Sequence, residues 1–311
     1  DGRLKTRNTK AQEIELRLST LPTVFGEKLV MRIFDPEVLV RGFSELGLVG
    51  ADFDKWQKMV QEPNGIILVT GPTGSGKTTT LYAMLTELNQ VSRNILTIED
   101  PIEYDLIGIG QTQVNAKVDM TFAKGLRAIL RQDPDIVMIG EIRDYETAEI
   151  AVQASLTGHL VLSTLHTNSA LGALTRLRDM GVESFLISSS IVGLIAQRLV
   201  RKLCPDCKKP HQLREDEKEL MGLQPHADVS MVFEPQGCDL CNHLGYRGRT
   251  GIYELISVDE TLRGMIHRND PMHLMETHLR PTTPSIREDG FKRVLIGDTS
   301  LAEILRVTSQ D

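Results

Sequence analysis

The chain has 311 residues, 41% of them hydrophobic and 25% charged, a globular balance that excludes a disordered or low-complexity protein. No apolar run approaches the length of a bilayer-spanning helix, and 35 basic against 42 acidic side chains leave a net charge of −7, without the electrostatic footprint of a nucleic-acid binder. The length implies two or three units, and the opening Asp1-Gly-Arg-Leu-Lys5, without an initiator Met or a signal-like segment, reads as the interior of a longer chain.

Residues 13–19 alternate polar and apolar, as do residues 28–34, which predicts two strands of an antiparallel sheet. So few strands do not stand alone, and 1–34 is therefore expected to be a partial domain. Residues 35–47, with Pro36 and Gly42, read as a linker. From 48 to 200, strand-like apolar runs at 66–70, 95–98, 136–139 and 160–163 alternate with helical stretches at 79–88, 121–132, 146–156 and 169–180. That order predicts an α/β core with a mainly parallel sheet.

Inside this core, Gly71-Pro-Thr-Gly-Ser-Gly-Lys-Thr78 matches the Walker A pattern between a buried strand and a helix beginning at Thr79. Gly71, Pro72, Thr73, Gly74, Ser75 and Gly76 would wrap backbone N–H groups round phosphates. Lys77 would reach the β/γ oxygens and the Thr78 hydroxyl would hold Mg²⁺. Adenine is the expected base, because Asn115-Ala-Lys-Val-Asp119 does not fit a guanine signature. A second strand, Asp135 to Glu141, carries Gly140 where a Walker B acid often stands, and Glu141 follows at the same sheet edge. A third edge presents Glu99, Asp100 and Glu103, whose clustered charge makes sense beside a metal or as a base. A fourth, Thr157 to Asn168, places His159 before a strand and His166 after it, the latter where an imidazole could donate to a γ-phosphate.

Cys204-Pro-Asp-Cys207 and Cys238-Asp-Leu-Cys241 have the spacing of two zinc knuckles, so 201–250 is expected to be a small module closed on structural Zn²⁺. Two disulfides are the alternative, and His211 and His243 lie near enough to compete as ligands. Residues 251–311 read as helical, with Thr299-Ser-Leu-Ala-Glu303 supplying an N-cap and first turn.

These motifs, in this order, resemble the type II/type IV secretion ATPase superfamily, hexameric motors of protein secretion and type IV pilus assembly. The tetracysteine module resembles that of the type II secretion and pilus-extension branches, and the tail Arg280-Pro-Thr-Thr-Pro-Ser-Ile-Arg-Glu-Asp-Gly290, with Asp298 to Thr308, is most similar to the type II secretion branch. The resemblance implies a RecA-like core at 48–200, preceded by a partial PAS-like α+β domain and followed by the zinc module and C-terminal helices. It implies that Arg17 and Arg32, otherwise read as surface strand residues, close on the nucleotide phosphates. It makes Glu103 the candidate base and gives Glu141 the placing of Mg²⁺ and water. It further implies ATP, Mg²⁺ and Zn²⁺ as cofactors, a homo-oligomeric ring of six, and partners among inner-membrane secretion proteins, the cytoplasmic domains of the L and F components. The expected location is cytoplasmic, at the inner face of the bacterial inner membrane and reached only through partners, with pseudopilus assembly as the work done. Pilus extension is the nearest rival reading. A DNA-translocating ATPase, resting on Arg198, Arg201, Lys202, Lys208 and Lys209, and a non-hydrolysing scaffold are more distant ones.

Overall fold

The computed structural model describes residues 2–7, 13–34, 42–224 and 231–309. Most of the linker expected at 35–47 lies outside the described residues; they resume at Gly42, which precedes the short helix α1 (Phe43–Leu46). Before it, β1 (Gly2–Arg7), β2 (Glu13–Thr23) and β3 (Gly26–Phe34) form an antiparallel sheet in that order, one strand more than the alternation predicts. Period-two alternation puts Leu18 opposite Met31 on one face and Arg17 opposite Arg32 on the other.

After α2 (Ala51–Val60) the chain alternates as β4 (Gly65–Thr70), α3 (Lys77–Leu88), β5 (Ile95–Glu99), β6 (Gly110–Gln113), α4 (Phe122–Ile129), β7 (Ile136–Ile139), α5 (Tyr145–Leu156) and β8 (Leu160–Leu165). Helices α6 (Gly172–Asp179) and α7 (Ser184–Ser190) then lead into the long strand β9 (Ile191–Leu203). The small hairpin β10 (Lys209–Gln212) and β11 (Met231–Glu234) flanks α8 (Glu215–Leu220), and β12 (Tyr246–Ser257) returns along β9. Helices α9 (Glu260–Arg268), α10 (Met272–Leu279), α11 (Ile286–Leu295) and α12 (Leu301–Val307) complete the fold.

The central sheet has seven strands in the order β12-β9-β4-β8-β7-β5-β6, parallel throughout except for the β9–β12 pair. Its middle strands are apolar end to end because both faces are covered. Ile66, Leu68, Val137, Ile139 and Val161 point to one side, against α4–α7 and the C-terminal helices. Ile67, Val69, Met138 and Leu162 point to the other, against α1–α3. There Trp56 is fully buried, 4.0 Å from the Phe43 ring centroid, and burying a side chain of that size stabilises by roughly 2–3 kcal/mol. The helices start where the sequence supplies caps: Asp144, Asp259, Ser285 and Ser300 each accept a first-turn N–H.

Two departures from the sequence reading matter for function. Residues 251–257 belong to β12 and not to a helix, and β9 runs on past position 200. The cysteine module is thus an insertion between two paired strands of the central sheet. No helix among the described residues is long and apolar enough to cross a membrane.

Candidate nucleotide site and tetracysteine cluster

Strand β4 ends at Thr70 and α3 begins at Lys77, so the intervening loop crosses the C-terminal edge of the sheet with its helix dipole aimed across it. At Gly71 (φ +147°) a Cβ would stand 2.4 Å from the Gln197 carbonyl oxygen, and at Gly76 (φ +89°) one would stand 2.9 Å from Gln197 Nε2. Only glycine fits at both places. Gln197, on β9 and 2% exposed, also accepts from Thr80 Oγ1 at 2.7 Å, so β9 backs the loop from behind. Lys77 Nζ donates to the carbonyls of Gly71 (2.8 Å) and Pro72 (3.1 Å). Burial lowers its pKa, opposed by the charge of Glu141. Ser75 Oγ is buried without a hydrogen-bond partner.

A cleft of about 380 Å³ opens over this loop. Thr73, Gly74, Gly76, Lys77, Thr78 and Thr79 line it from the loop side, and Glu99, Asp100, Glu103, Glu141 and His166 from the edges of β5, β7 and β8. The motif residues of four sheet edges therefore converge, as strands sharing one parallel sheet require. The fit to a nucleoside triphosphate rests on the glycine cradle, the helix terminus, Lys77 and the unpartnered Ser75 hydroxyl.

The carboxylates are not equivalent. Glu99, 2% exposed, accepts from the Tyr82 hydroxyl, from Thr97 Oγ1 (2.6 Å) and from Gln111 Nε2 (3.0 Å), so its lone pairs are largely engaged in the fold. The Tyr82 hydroxyl also accepts from the Glu103 N–H at 3.3 Å, tying α3 to the acidic segment. Burial raises the Glu103 carboxyl above its ordinary range, with Arg17 opposing, Glu99 adding to the rise and Arg32 opposing again. Glu141 accepts from Arg143 through one oxygen, and the other lies 3.4 Å from His166 Nε2. Ser163 Oγ and Thr164 Oγ1 donate to the carbonyls of Ile139 and Gly140, each at 2.8 Å, which fixes the end of β8 to that of β7.

Arg17 donates through Nη2 to the Ile102 carbonyl at 2.7 Å and through Nε to Glu15 at 3.0 Å. Arg17 and Arg32 line, with Pro101, a neighbouring cavity of about 410 Å³ behind the acidic segment. They act on Glu103 through space from there and do not line the cleft.

His159 departs from expectation. It precedes β8, its Nδ1 lies 2.9 Å from the Ala154 carbonyl, and its own carbonyl accepts from Gly65 N. Because β8 runs parallel to β4, His159 sits at the opposite edge of the sheet, about 17 Å of strand away from the phosphate loop. It closes the end of α5 and does not line the cleft. The sequence reading also missed Tyr82 and Gln197, which support the site from behind, and Leu199 and Arg249, which line the cleft from β9 and β12. Arg249 follows Gly248, across an irregularity in the β9–β12 register, and the turn-rich string around it masks the strand.

At the far end of that hairpin the four Sγ atoms of Cys204, Cys207, Cys238 and Cys241 lie within 4.8 Å of one another. Three separations are 3.9, 3.8 and 3.7 Å. A tetrahedron with Zn–S bonds of about 2.3 Å has edges of about 3.8 Å, whereas a disulfide needs about 2.05 Å. The donor set fits a closed, four-coordinate metal. N–H groups of Gly237, Cys238 and Gly245 point at Cys207 and Cys241 sulfurs at 3.2–3.3 Å. For Cys241, burial pushes the thiol up, but the N–H groups of Cys238 and Gly245 outweigh it and bring it to about 7; burial pushes Cys204 up to about 12. His211 is engaged with Glu217 (2.9 Å) and His243 with Asp239 (3.1 Å), leaving the cluster to the cysteines.

A family model described as Type II/IV secretion system protein matches residues 1–306. The chain is 58% identical over 311 residues to the type II secretion system protein E of Aeromonas hydrophila, covering 100% of this chain and 62% of that one. It is 57% identical over 310 residues to the type II secretion system ATPase E of Vibrio cholerae, with 100% and 61% covered. The chain thus spans about three fifths of the length of these relatives. Among solved structures, that of the pilus retraction motor PilT with bound ADP aligns with a TM-score of 0.70 at 28% identity, over 100% of this chain and 78% of that one. A mixed α/β fold of RecA-like type, the ordered motifs and these matches lead to one conclusion: the chain belongs to the type II/IV secretion system protein family.

Proposed function

We propose that this chain is the ATP-hydrolysing part of a type II secretion motor, and that its turnover powers pseudopilus assembly and protein export. The observation that carries this is the convergence of Lys77, Thr78, Glu103, Glu141 and His166 on one cleft. The reaction is in-line attack of water on the γ-phosphorus, which breaks the bond to the β–γ bridging oxygen, so that ADP leaves with that electron pair and inorganic phosphate forms. Lys77 and the α3 terminus offset charge on the phosphates, and Glu103, its proton affinity raised by burial, takes the proton of the attacking water. His166 donates toward the γ-phosphoryl oxygens. Arg17 and Arg32, already against the acidic segment, complete the charge balance when the β1–β3 sheet closes further over the cleft. Mg²⁺ held through Thr78, with Glu141 beside it, would supply further charge neutralisation of the β/γ oxygens.

The same reading takes the cysteine cluster as structural Zn²⁺, the working assembly as a homo-hexameric ring, and the setting as the cytoplasmic face of the bacterial inner membrane, reached through secretion partners there. The relatives reported above carry type II secretion names, which favours this over pilus extension. Three of the five basic residues that motivated a DNA reading are engaged within the protein: Arg198 is 7% exposed, Arg201 pairs with Glu303, and Lys208 donates to the Gly297 carbonyl.

The test is Mg²⁺-dependent ATP hydrolysis by the parent, Glu103→Gln and Glu141→Gln, with nucleotide binding followed in parallel across protein concentration. Turnover should fall at least about a hundredfold in both variants with binding retained, and parental activity should rise cooperatively with concentration. Undiminished hydrolysis in both variants would show the chemistry to lie elsewhere.

A further inference from the structure

Glu254, on β12, is 3% exposed and stands outside the nucleotide cleft. Its Oε2 accepts the Ala170 N–H at 3.1 Å and its Oε1 accepts from Arg280 Nη1 at 2.8 Å. Ala170 belongs to the segment that carries His166 from the end of β8 toward α6. Arg280 opens the Arg280-Pro-Thr-Thr-Pro284 turn of the C-terminal part, and its Nη1 also lies 3.4 Å from the Thr283 carbonyl. The same turn is gripped from α2, where Lys55 Nζ donates to Thr282 O (2.7 Å) and Thr283 Oγ1 (3.2 Å).

His166 has little packing of its own to hold it. Its side chain is 50% exposed, and its ring lies 3.4 Å from Glu141. Where the imidazole stands is therefore set by the backbone of residues 166–170. Within that segment Thr167 Oγ1 donates to Ser169 O at 3.0 Å, and the Gly172 N–H to Ser169 Oγ at 3.1 Å, which preserves the loop's shape. From outside, Arg198 Nη2 donates to the Asn168 carbonyl at 3.4 Å and Thr70 Oγ1 to the Ser169 carbonyl at 3.5 Å, and Glu254 holds the Ala170 N–H at 3.1 Å, the shortest of the three and the one tied to the C-terminal turn. A buried carboxylate holds its place only when its charge is matched, and Arg280 supplies the match.

We infer that Glu254 and Arg280 are positioning residues for the His166 loop, through which the Arg280–Pro284 turn controls how the imidazole meets its target. The C-terminal helices and the nucleotide cleft are then linked through two side chains and one amide. The catalytic consequence rests on the hydrolysis proposed above; the anchoring does not.

The test uses the whole chain and the variant Arg280→Ala. Amide exchange across 166–170 should accelerate about tenfold, with β4 and β8 unchanged, because a charge-assisted hydrogen bond has been loosened locally. Hydrolysis should fall about tenfold while affinity for a fluorescent ATP analogue stays within about twofold. Arg280→Lys, which keeps the charge without the fork, should show a smaller effect in the same segment, and it carries the test if the alanine variant does not fold. Unchanged exchange at 166–170 in a folded variant, or acceleration in step with the strands, would overturn the inference. A parent without turnover would count against the hydrolysis reading, and the exchange data would still decide the anchor.

Discussion

Replacing Glu303 by Gln should remove about 3 kcal/mol of stability at neutral pH. The Glu303 side chain on α12 is fully buried and accepts Arg201 Nη2 at 2.7 Å, the Arg201 N–H at 3.1 Å, and Arg306 Nε and Nη2 at 2.9 and 2.8 Å. Burial alone would push the carboxyl up; the donors on Arg306 and Arg201 outweigh it and hold it at about 2, against an ordinary 4.5. At about 1.4 kcal/mol per pH unit the difference comes to about 3.4 kcal/mol, and water around the half-exposed guanidinium groups trims it to about 3. The folded pKa is depressed, so this stability is present above pH 4.5 and is lost as pH falls toward 2. Gln stands in for the protonated acid, so urea unfolding of parent and variant should differ by about 3 kcal/mol at pH 7 and by about 2 kcal/mol at pH 3.5. A difference below about 1 kcal/mol at pH 7, or one that does not narrow with acid, would refute the assignment of this network to the stability of α12 on the β9–β12 hairpin.

Two further outcomes are expected. Metal analysis of freshly reduced protein should find one Zn²⁺ per chain, and Cys204→Ser should loosen the module between β9 and β12, read as faster proteolysis there, with nucleotide still bound; a metal-free parent would end the tetrathiolate assignment. Tyr82→Phe removes a donor to the buried Glu99 carboxylate and an acceptor for Glu103 N–H, and should lower stability by about 2 kcal/mol and slow turnover with nucleotide affinity retained; wild-type turnover would show that the hydroxyl does not set Glu103.

The parallel strands were legible because a strand covered on both faces must be apolar end to end, as in Gly65–Thr70 and Leu160–Leu165. The phosphate loop was legible because Gly71, Gly74 and Gly76 mark by residue type the positive φ that the turn needs, whereas the crowding by Gln197 that also demands glycine at Gly71 and Gly76 comes from a distant strand. Strand β9 was hidden by Gln197, Arg198, Arg201 and Lys202, whose polarity is explained by partners distant in sequence such as Glu303 and Thr80. His159 and His166 look alike in sequence and differ in fate because the length of β8 separates them, and only strand direction tells which edge carries the chemistry. Tyr82 reads as an ordinary core aromatic; its second role depends on Glu99 and Glu103 arriving from another strand, which no local pattern announces.

The cysteine pairs join positions 34 residues apart, from the end of β9 to the start of β12. Bringing the ends of such a segment together costs about 3 kcal/mol in chain entropy on the length term alone. If the sulfurs gather round an ion, as proposed, β9 and β12 would lie side by side at one end, and their ladder could grow residue by residue from Leu203 and Tyr246. The ion and the strand pair would then share one loop closure during folding, and a chain without metal would have to form the sheet edge behind its phosphate loop from the slow, long-range side.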